Sequence, residues 1–549
     1  MSVLALYDAS GIQEYIFASG KLRENIGASN LVADVLKKIL VSCIKKHCSK
    51  DKCLVEWEKA ISSSLSKENE AEVIYIGGGN AMVYFDSEER ARTITESFYK
   101  RLVKDTYRVK IISAFTKVTD SFTNDRIKLI RQIEREKNLQ KPFNMLKGFS
   151  INRLDNISSL PWVVNKTDKG MYINPREKYL KLNAYRQEKD SDFIDEKYRD
   201  KFTFDGVFDN LGGDKGDNML AVVHIDGNSM GAFIGEHMSK FDNYDGAVSE
   251  FRKISSQINT SYTNAYRDII SLLCDYLSNE KNIKLLKDKG VVIRRNNSGK
   301  HILPVRHLIF EGDDVTFVCN AKLAFFLVEN FIKLLQPLSI DNKVMHACAG
   351  IAFVHSHFPF SIAYSLAEEC CLNAKRQAKT MDNKNPLSWI DFHVNLGGIT
   401  GSLDDIRKRW FEMPGYSLLR RPWLIDKDIN NQTNYNEYSF NILKDYIKMF
   451  NEKTSSSNNK FSDSIWPRTK LKELRNAYLK GESAVTLYMA ELVSRVYQKD
   501  EKYNSDKLDE WTDPMINIDA KKISRYFDAV ESLDFFPIDE LFSTNLSRG

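Results

Sequence analysis

A pattern that occurs twice constrains this chain more than any single motif. Residues 3–8 (VLALYD) are an apolar run ending in an acid, followed by SGIQEYIF and a helical stretch at 26–46. AEVIYIGGGNAMVYF then reads as two short strands joined by a turn at Gly77, Gly78, Gly79 and Asn80. A helix at 88–104, a strand at 107–117 and a helix at 124–138 follow. The same order returns. LAVVHID (220–226) again ends in an acid, GNSMGAFIG and a helical stretch at 246–281 come next, and RHLIFEGDDVTFVCN is again a hairpin, its turn now Glu311, Gly312, Asp313 and Asp314. Helix 321–335, strand 344–354 and helix 361–379 complete the second copy. Two homologous α+β units are therefore expected, each folding most simply as a four-stranded antiparallel sheet covered by helices on one face.

The 549 residues leave room for more than these two units. The pattern divides the chain into a first unit at 1–149, a lysine- and tyrosine-rich connector at 150–217, a second unit at 218–395 and a C-terminal region at 396–549. In the last, Phe440, Leu443, Ile447 and Phe450 fall at helical spacing, Pro467 can open a helix bearing Leu471, Leu474 and Tyr478, and 482–498 reads as another. A Ser/Asn-rich linker at 454–459 interrupts this helical domain. A net charge of +5 is too small for a histone-like nucleic-acid binder, so basic surface must be local. The eight cysteines include no CxxC pair, and Cys43, Cys48 and Cys53 read as buried or incidental thiols. No apolar run reaches the roughly 18 residues of a membrane span. The N-terminus MSVLALYDASG lacks the marks of a secretory signal, so a cytoplasmic location without membrane association is expected.

Chemistry concentrates in the second copy. A hairpin tip bearing two acids can aim at least one at the end of a neighbouring strand, and that neighbour ends in Asp226. Taken alone, Asp226 reads as a helix cap, and Asp313 and Asp314 as a solvated tip. On matched strands they read as a carboxylate cluster. Two carboxylates about 4 Å apart repel by roughly 4 kcal/mol at an effective dielectric near 20, and a hard divalent cation, Mg²⁺ or Mn²⁺, is the natural compensation. Such a site suits nucleotidyl transfer. The turn after Asp226, with Gly227, Asn228, Ser229 and Gly231 at a helix start, lets backbone NH groups approach phosphate, as Gly312 does in the hairpin tip. The first copy offers Gly77, Gly78, Gly79 and Asn80 where the second has acids, leaving Asp8 as its matching carboxylate. A second GGD string, in LGGDKGDN at 211–218, precedes the strand and reads as a loop.

HIDGNSMG, LPVRHLIFEGDDVTFV and SIAYSLAEECCLNAK resemble the second palm domain of the large polymerase/cyclase subunit of type III CRISPR effector complexes. DASGIQEYIFASGKLRENIGASNLVADVL resembles its first palm. The resemblance implies an α+β fold of two facing ferredoxin-like palms, related to GGDEF cyclases and polymerase palms, with a helical C-terminal domain. It implies a metal-dependent nucleotidyltransferase that makes cyclic or short linear oligonucleotide messengers, with ATP the expected substrate, in antiviral defence. Asp226, Asp313 and Asp314 would bind Mg²⁺ or Mn²⁺, Lys375 would meet the triphosphate, and the first palm would hold the acceptor nucleotide. RNA and other type III effector subunits are the macromolecular partners implied. Two other readings stand beside it: a non-catalytic architectural subunit, and a GTP-using cyclase of the diguanylate kind. Glu311 stands where the family has the first glycine of GGDD, the family's interpalm cysteine pairs are missing, and no histidine-aspartate nuclease domain precedes the first palm, so DNA cleavage is not expected.

Overall fold

The computed structural model describes residues 1–139, 151–156, 158–167, 170–185, 192–211, 213, 218–241, 243–336, 339–340, 343–395, 397, 401–425, 435–451, 466–499 and 513–536. The linker at 454–459 and most of the GGD string at 211–218 lie outside them.

The first copy folds around β1 (Val3–Ser10), β2 (Ala71–Gly77), β3 (Asn80–Phe85) and β4 (Lys110–Lys117). Their order in the sheet is β2-β3-β1-β4, all antiparallel, with a two-residue strand Cys53–Leu54 added parallel to β2. Helices α1 (Leu22–Asp34), α2 (Glu88–Thr106) and α3 (Phe122–Leu139) connect and cover it. The second copy repeats the order with β5 (Met219–Gly227), β6 (Val305–Glu311), β7 (Asp314–Asn320) and β8 (Ala347–His355), as β6-β7-β5-β8. Its sheet then continues through β9 (Trp389–Val394), parallel to β8, and β10 (Trp423–Leu424), so six strands stand where four were expected. Its helices are α4 (Tyr244–Leu277), α5 (Ala324–Leu335) and α6 (Phe360–Met381).

Helices cover both faces of each sheet, not one. In β1, Val3, Ala5 and Tyr7 enter one core, where Tyr7 meets Phe98 of α2 edge-on at 5.7 Å, while Leu4 and Leu6 enter another with Leu129 and Ile133 of α3. In β5, Val223 lies opposite Phe317, whose ring is 6.0 Å from Tyr266 of α4. His224, pointing the other way, meets Tyr364 of α6 at 5.7 Å. Across from His224 is Gly350, where a Cβ would lie 1.9 Å from Ala367 O, so glycine lets α6 rest directly on the sheet. The sequence carries the reason: LAVVHI is apolar at both parities, so both faces of β5 must be buried.

Two long helical stretches are also broken. The stretch at 26–46 turns π-helical over Val35–Leu40 before Val41–His47, and the stretch at 246–281 ends at Leu277, with Glu280–Asp288 restarting under an Asn279 cap. The C-terminal region contains the helices Phe440–Asn451, Arg468–Tyr478 and Glu482–Lys499 that the spacing indicates. It also holds a small four-stranded sheet and donates β10 to the second unit's sheet. A buried pair fastens it there, Arg407 to Asp391 of β9 at 2.7 Å, and within the region Arg421 pairs with Glu531 at 2.7 Å.

α4 joins the two units. Its first half packs Ala247, Val248 and Phe251 into the core under β1, and its second half lies on the second sheet. Between them the fully buried Arg252 donates to Glu72 Oε1 at 2.8 Å and to the carbonyls of Val73, Ile74, Ser63 and Ala60 at 3.0–3.4 Å, so the strand leading into the Gly77 turn is pinned to this helix. Truncating one partner of a buried, hydrogen-bonded pair strands the other charge. Arg252→Ala is expected to lose about 3–5 kcal/mol, read as a lower urea midpoint, whereas substitution of the exposed Lys59, on Glu56, should leave the midpoint nearly unchanged.

Candidate functional site

β5 ends where three elements meet. Asp226 lies across from Cys348 of β8, and the last pair with β7 is Val315 with Ile225, so Asp314 stands one step further, beside Asp226. Alternation puts His224, Asp226, Thr316 and Asp314 on the face covered by α6. That helix supplies Lys375, whose Nζ lies 2.5 Å from Asp226 Oδ2 and donates to Gly227 O at 2.9 Å. His224 Nδ1 is 3.1 Å from Thr316 Oγ1 and 3.4 Å from Asp314 Oδ1. Asp313, one residue earlier, turns to the opposite side. A Cβ on Gly227 would sit 2.8 Å from Asp313 Oδ2, from Met230 Cγ and from the Tyr262 hydroxyl alike, so glycine is required there by close packing.

These residues open on a cleft of about 270 Å³ lined by Asp226, Gly227, Asn228, Ser229, Gly231, Asp313 and Lys375, together with Met230, Lys379 and Pro386. Seven positions singled out from sequence thus share one cavity. Asp314 and Gly312 do not line it. Asn228 is fixed by its NH to His346 O at 2.9 Å and its Nδ2 to Leu387 O at 2.7 Å, and Ser229 takes a left-handed φ of 56° to turn the chain into the helix Met230–Met238.

The glycine turn of the first unit faces the acidic turn of the second. Gly78 and Gly79 are both left-handed, at φ 58° and 73°. A Cβ on Gly79 would lie 3.3 Å from Glu311 Oε2, and one on Gly312 would lie 3.8 Å from the Gly78 backbone. The hairpin tips abut, and Glu311 fills the seam. Asn80 folds back onto its own turn, donating to Gly78 O at 2.9 Å.

The seam is short of positive charge. Burial lifts Glu311 to about 7, with Lys37 pulling weakly the other way. Burial first, and Asp226 second, lift Asp313 to about 6. Asp314 is raised well above the usual carboxylate range by burial and then by Asp226, Glu311, Asp313 and Glu368. Burial lowers His224 to about 4, so its imidazole is neutral and brings no cation. The Lys375 ammonium on Asp226 is a direct counter-charge to this cluster. Among the described residues no group of three or more His, Cys, Asp or Glu is gathered as a ready metal cage. The donor set is nevertheless one of hard oxygens in mutual repulsion, which suits a small divalent cation whose shell is completed by phosphate and water.

The first unit keeps more of this arrangement than its glycines suggest. Asp8, raised by burial, pairs with Lys137 of α3 at 2.5 Å. The strand-end acid and the lysine of the last helix match Asp226 and Lys375. Sequence reading missed Lys137, which the repeat could have supplied by aligning the two final helices. It also missed His224, two residues before Asp226 and so on its face, as well as Glu368 and Tyr262. For Tyr262 there is no local signal, since it comes from a helix that begins in the first unit's core.

Residues 219–388 match the family of the second palm domain of Cas10/Cmr2. That stretch of the chain is similar to a Cas10/Cmr2 second palm. The match takes in the strand-end acid, the acidic hairpin and the lysine helix just described. Among solved structures, a Csm1–Csm4 cassette in complex with cA4 is 14% identical, with 98% of this chain and 70% of that chain covered at a TM-score of 0.51. A Csm1–Csm4 cassette in complex with cA3 is 14% identical over the same shares at 0.50. At that identity the likeness is one of fold, and it extends over both palms and the C-terminal region. No curated protein matches the chain.

A carboxyl whose folded value lies above its unfolded one binds its proton more tightly in the native state, so stability falls as pH rises from the ordinary value to the raised one. For Glu311 that window runs from about 4.5 to about 7. The melting temperature of Glu311→Gln, compared with the parent between pH 5 and pH 7.5, should decline less steeply; parallel curves would show that Glu311 is not desolvated in the seam.

Proposed function

We propose that this chain is a nucleotidyltransferase that joins ATP through 3′-5′ bonds into cyclic or short linear oligoadenylates, acting as the large subunit of a type III CRISPR-like assembly. The observation that carries the reading is the shared cleft of Asp226, Asp313 and Lys375 at the strand end of the second palm, with the glycine turn of the first palm set against it. The neighbours' complexes with cA4 and cA3 favour adenylate products. Partner subunits and RNA belong to the proposal in the same way.

Each group has a task its chemistry suits. Lys375 and Lys379 present two ammonium charges to the triphosphate. The turn from Gly227 to Gly231 brings backbone to the phosphates, and Asn228, held at both its NH and its amide, fixes that turn. Lys375 exchanges its pairing with Asp226 for the triphosphate of the incoming substrate, and its ammonium then stays with the pyrophosphate as it leaves. Asp226, Asp313 and Asp314 would hold Mg²⁺ or Mn²⁺, which would stabilise charge on the reacting phosphate and acidify the attacking 3′-hydroxyl. Asp8 and Lys137, beside the Gly77–Asn80 turn, form the weaker half-site for the nucleotide that supplies that hydroxyl.

Glu311 in the seam favours a second reading, an architectural subunit without turnover. Purified protein incubated with each labelled NTP and Mn²⁺ separates them. ATP should give pyrophosphate and products whose mass is a multiple of adenylate, and Asp313→Ala with Asp314→Ala should lower the yield by roughly 10²-fold or more. Undiminished product in that variant would refute the site, absence of product from every NTP in the assembled complex would favour the architectural role, and a guanylate mass would move the chain to the diguanylate-like class.

A further inference from the structure

Tyr262 is fully buried, and its hydroxyl is one of the buried polar atoms without a hydrogen-bond partner among the described residues. A lone buried hydroxyl costs stability, so its retention asks for an explanation. The groups around it narrow the choice. Its ring lies 6.0 Å from Phe331, an apolar neighbour. The titratable groups that act on it are the carboxylates of Asp313 and Asp226 and the thiols of Cys348 and Cys371. Asp226 Oδ2 is occupied by Lys375 at 2.5 Å, and the Cys371 thiol is itself engaged with Cys348 O at 3.3 Å. Asp313 Oδ2 is the best placed of these, because it and the phenol oxygen each lie 2.8 Å from one point, the place where a Cβ on Gly227 would be.

We propose that Tyr262 is a positioning residue for Asp313: its hydroxyl, unpartnered among the described residues, turns into the space that Gly227 leaves open and donates to Asp313 Oδ2, with or without nucleotide, and so holds that carboxylate towards the cleft. Three features make this more than proximity. A phenol, with an ordinary value of about 10, is a donor at neutral pH. A Cβ at position 227 would fill the space between the two oxygens, which gives the glycine a second role beside the cleft. Tyr262 rides on α4, whose Arg252 is locked to Glu72 and to the backbone of the strand entering the first palm's glycine turn. A single rigid helix thus links the backbone behind one half-site to the carboxylate of the other, and the direction of Asp313 is set relative to the first palm as well as to its own hairpin.

The inference rests on the proposed nucleotidyl transfer for its kinetic test, and a nucleotide-free measurement keeps the two separable. In the kinetic arm, Tyr262→Phe is expected to lower kcat with ATP and Mn²⁺ about tenfold with KM for ATP nearly unchanged, and Gly227→Ala to lower kcat further. An unchanged kcat in Tyr262→Phe, with Asp313→Ala inactive, would overturn the positioning role and leave the proposed function standing. In the second arm, the melting temperatures of the full-length parent, Tyr262→Phe, Asp313→Ala and the double variant are compared without nucleotide or metal. Deleting a hydroxyl that serves nothing should leave the melting point level or higher by the same amount in both backgrounds. A contact with Asp313 makes the shift depend on the background, and additive shifts would overturn the proposal whether or not any NTP is turned over.

Discussion

Too many carboxylates at one place is the constraint on which the rest of this molecule turns. Asp226, Glu311, Asp313 and Asp314 gather where β5 ends against the tip of the β6–β7 hairpin, with Glu368 of α6 close enough to add to the repulsion. The raised proton affinities of Glu311, Asp313 and Asp314 reflect how poorly the surrounding apolar strands solvate charge, and among the described residues Lys375 on Asp226 is the direct compensation. A structural core has no use for such an arrangement. Perturbed carboxylates beside a cleft are the physical basis of the proposed site.

The first palm explains how this crowding is held in shape. Its own hairpin tip has shed the acids and presents glycines, which allow the two tips to touch at Gly78, Gly79, Glu311 and Gly312. The degenerate copy is therefore a wall of the site as well as a relic of duplication. Glu311 belongs to this seam rather than to the cleft, which places the departure from the family's GGDD between the palms, against Gly79 and near Lys37 of the first. The ion pair of Asp8 and Lys137 shows that the first unit holds a strand-end acid and its lysine although its hairpin tip carries no acids.

Much of this was legible in the residues. The duplicated order, the strand-end acids, the two hairpin tips and the helix bearing Lys375 all follow from apolar periodicity and turn chemistry, and seven of the singled-out positions do line one cleft. Other features were not legible. Helices on both faces could have been inferred from LAVVHI, whose apolar residues ignore the alternation of a half-buried strand. The strand β9 follows the last helix of the repeat, and β10 is two residues long, so neither carries enough periodicity to announce itself.

By itself, the sequence determined that the chain contains two palms, which of them keeps its acids, and which carboxylates and lysine belong to it. These are properties of local pattern, and local pattern survives in one dimension. Only the tertiary structure decided that the tips abut, that Asp313 and Asp314 face opposite ways, that Lys375 rests on Asp226, and that Tyr262 lies behind Gly227. Each of these depends on contacts between segments far apart along the chain, whose distances are fixed by the packing of α4 and α6 on two sheets and are written in no single stretch of residues.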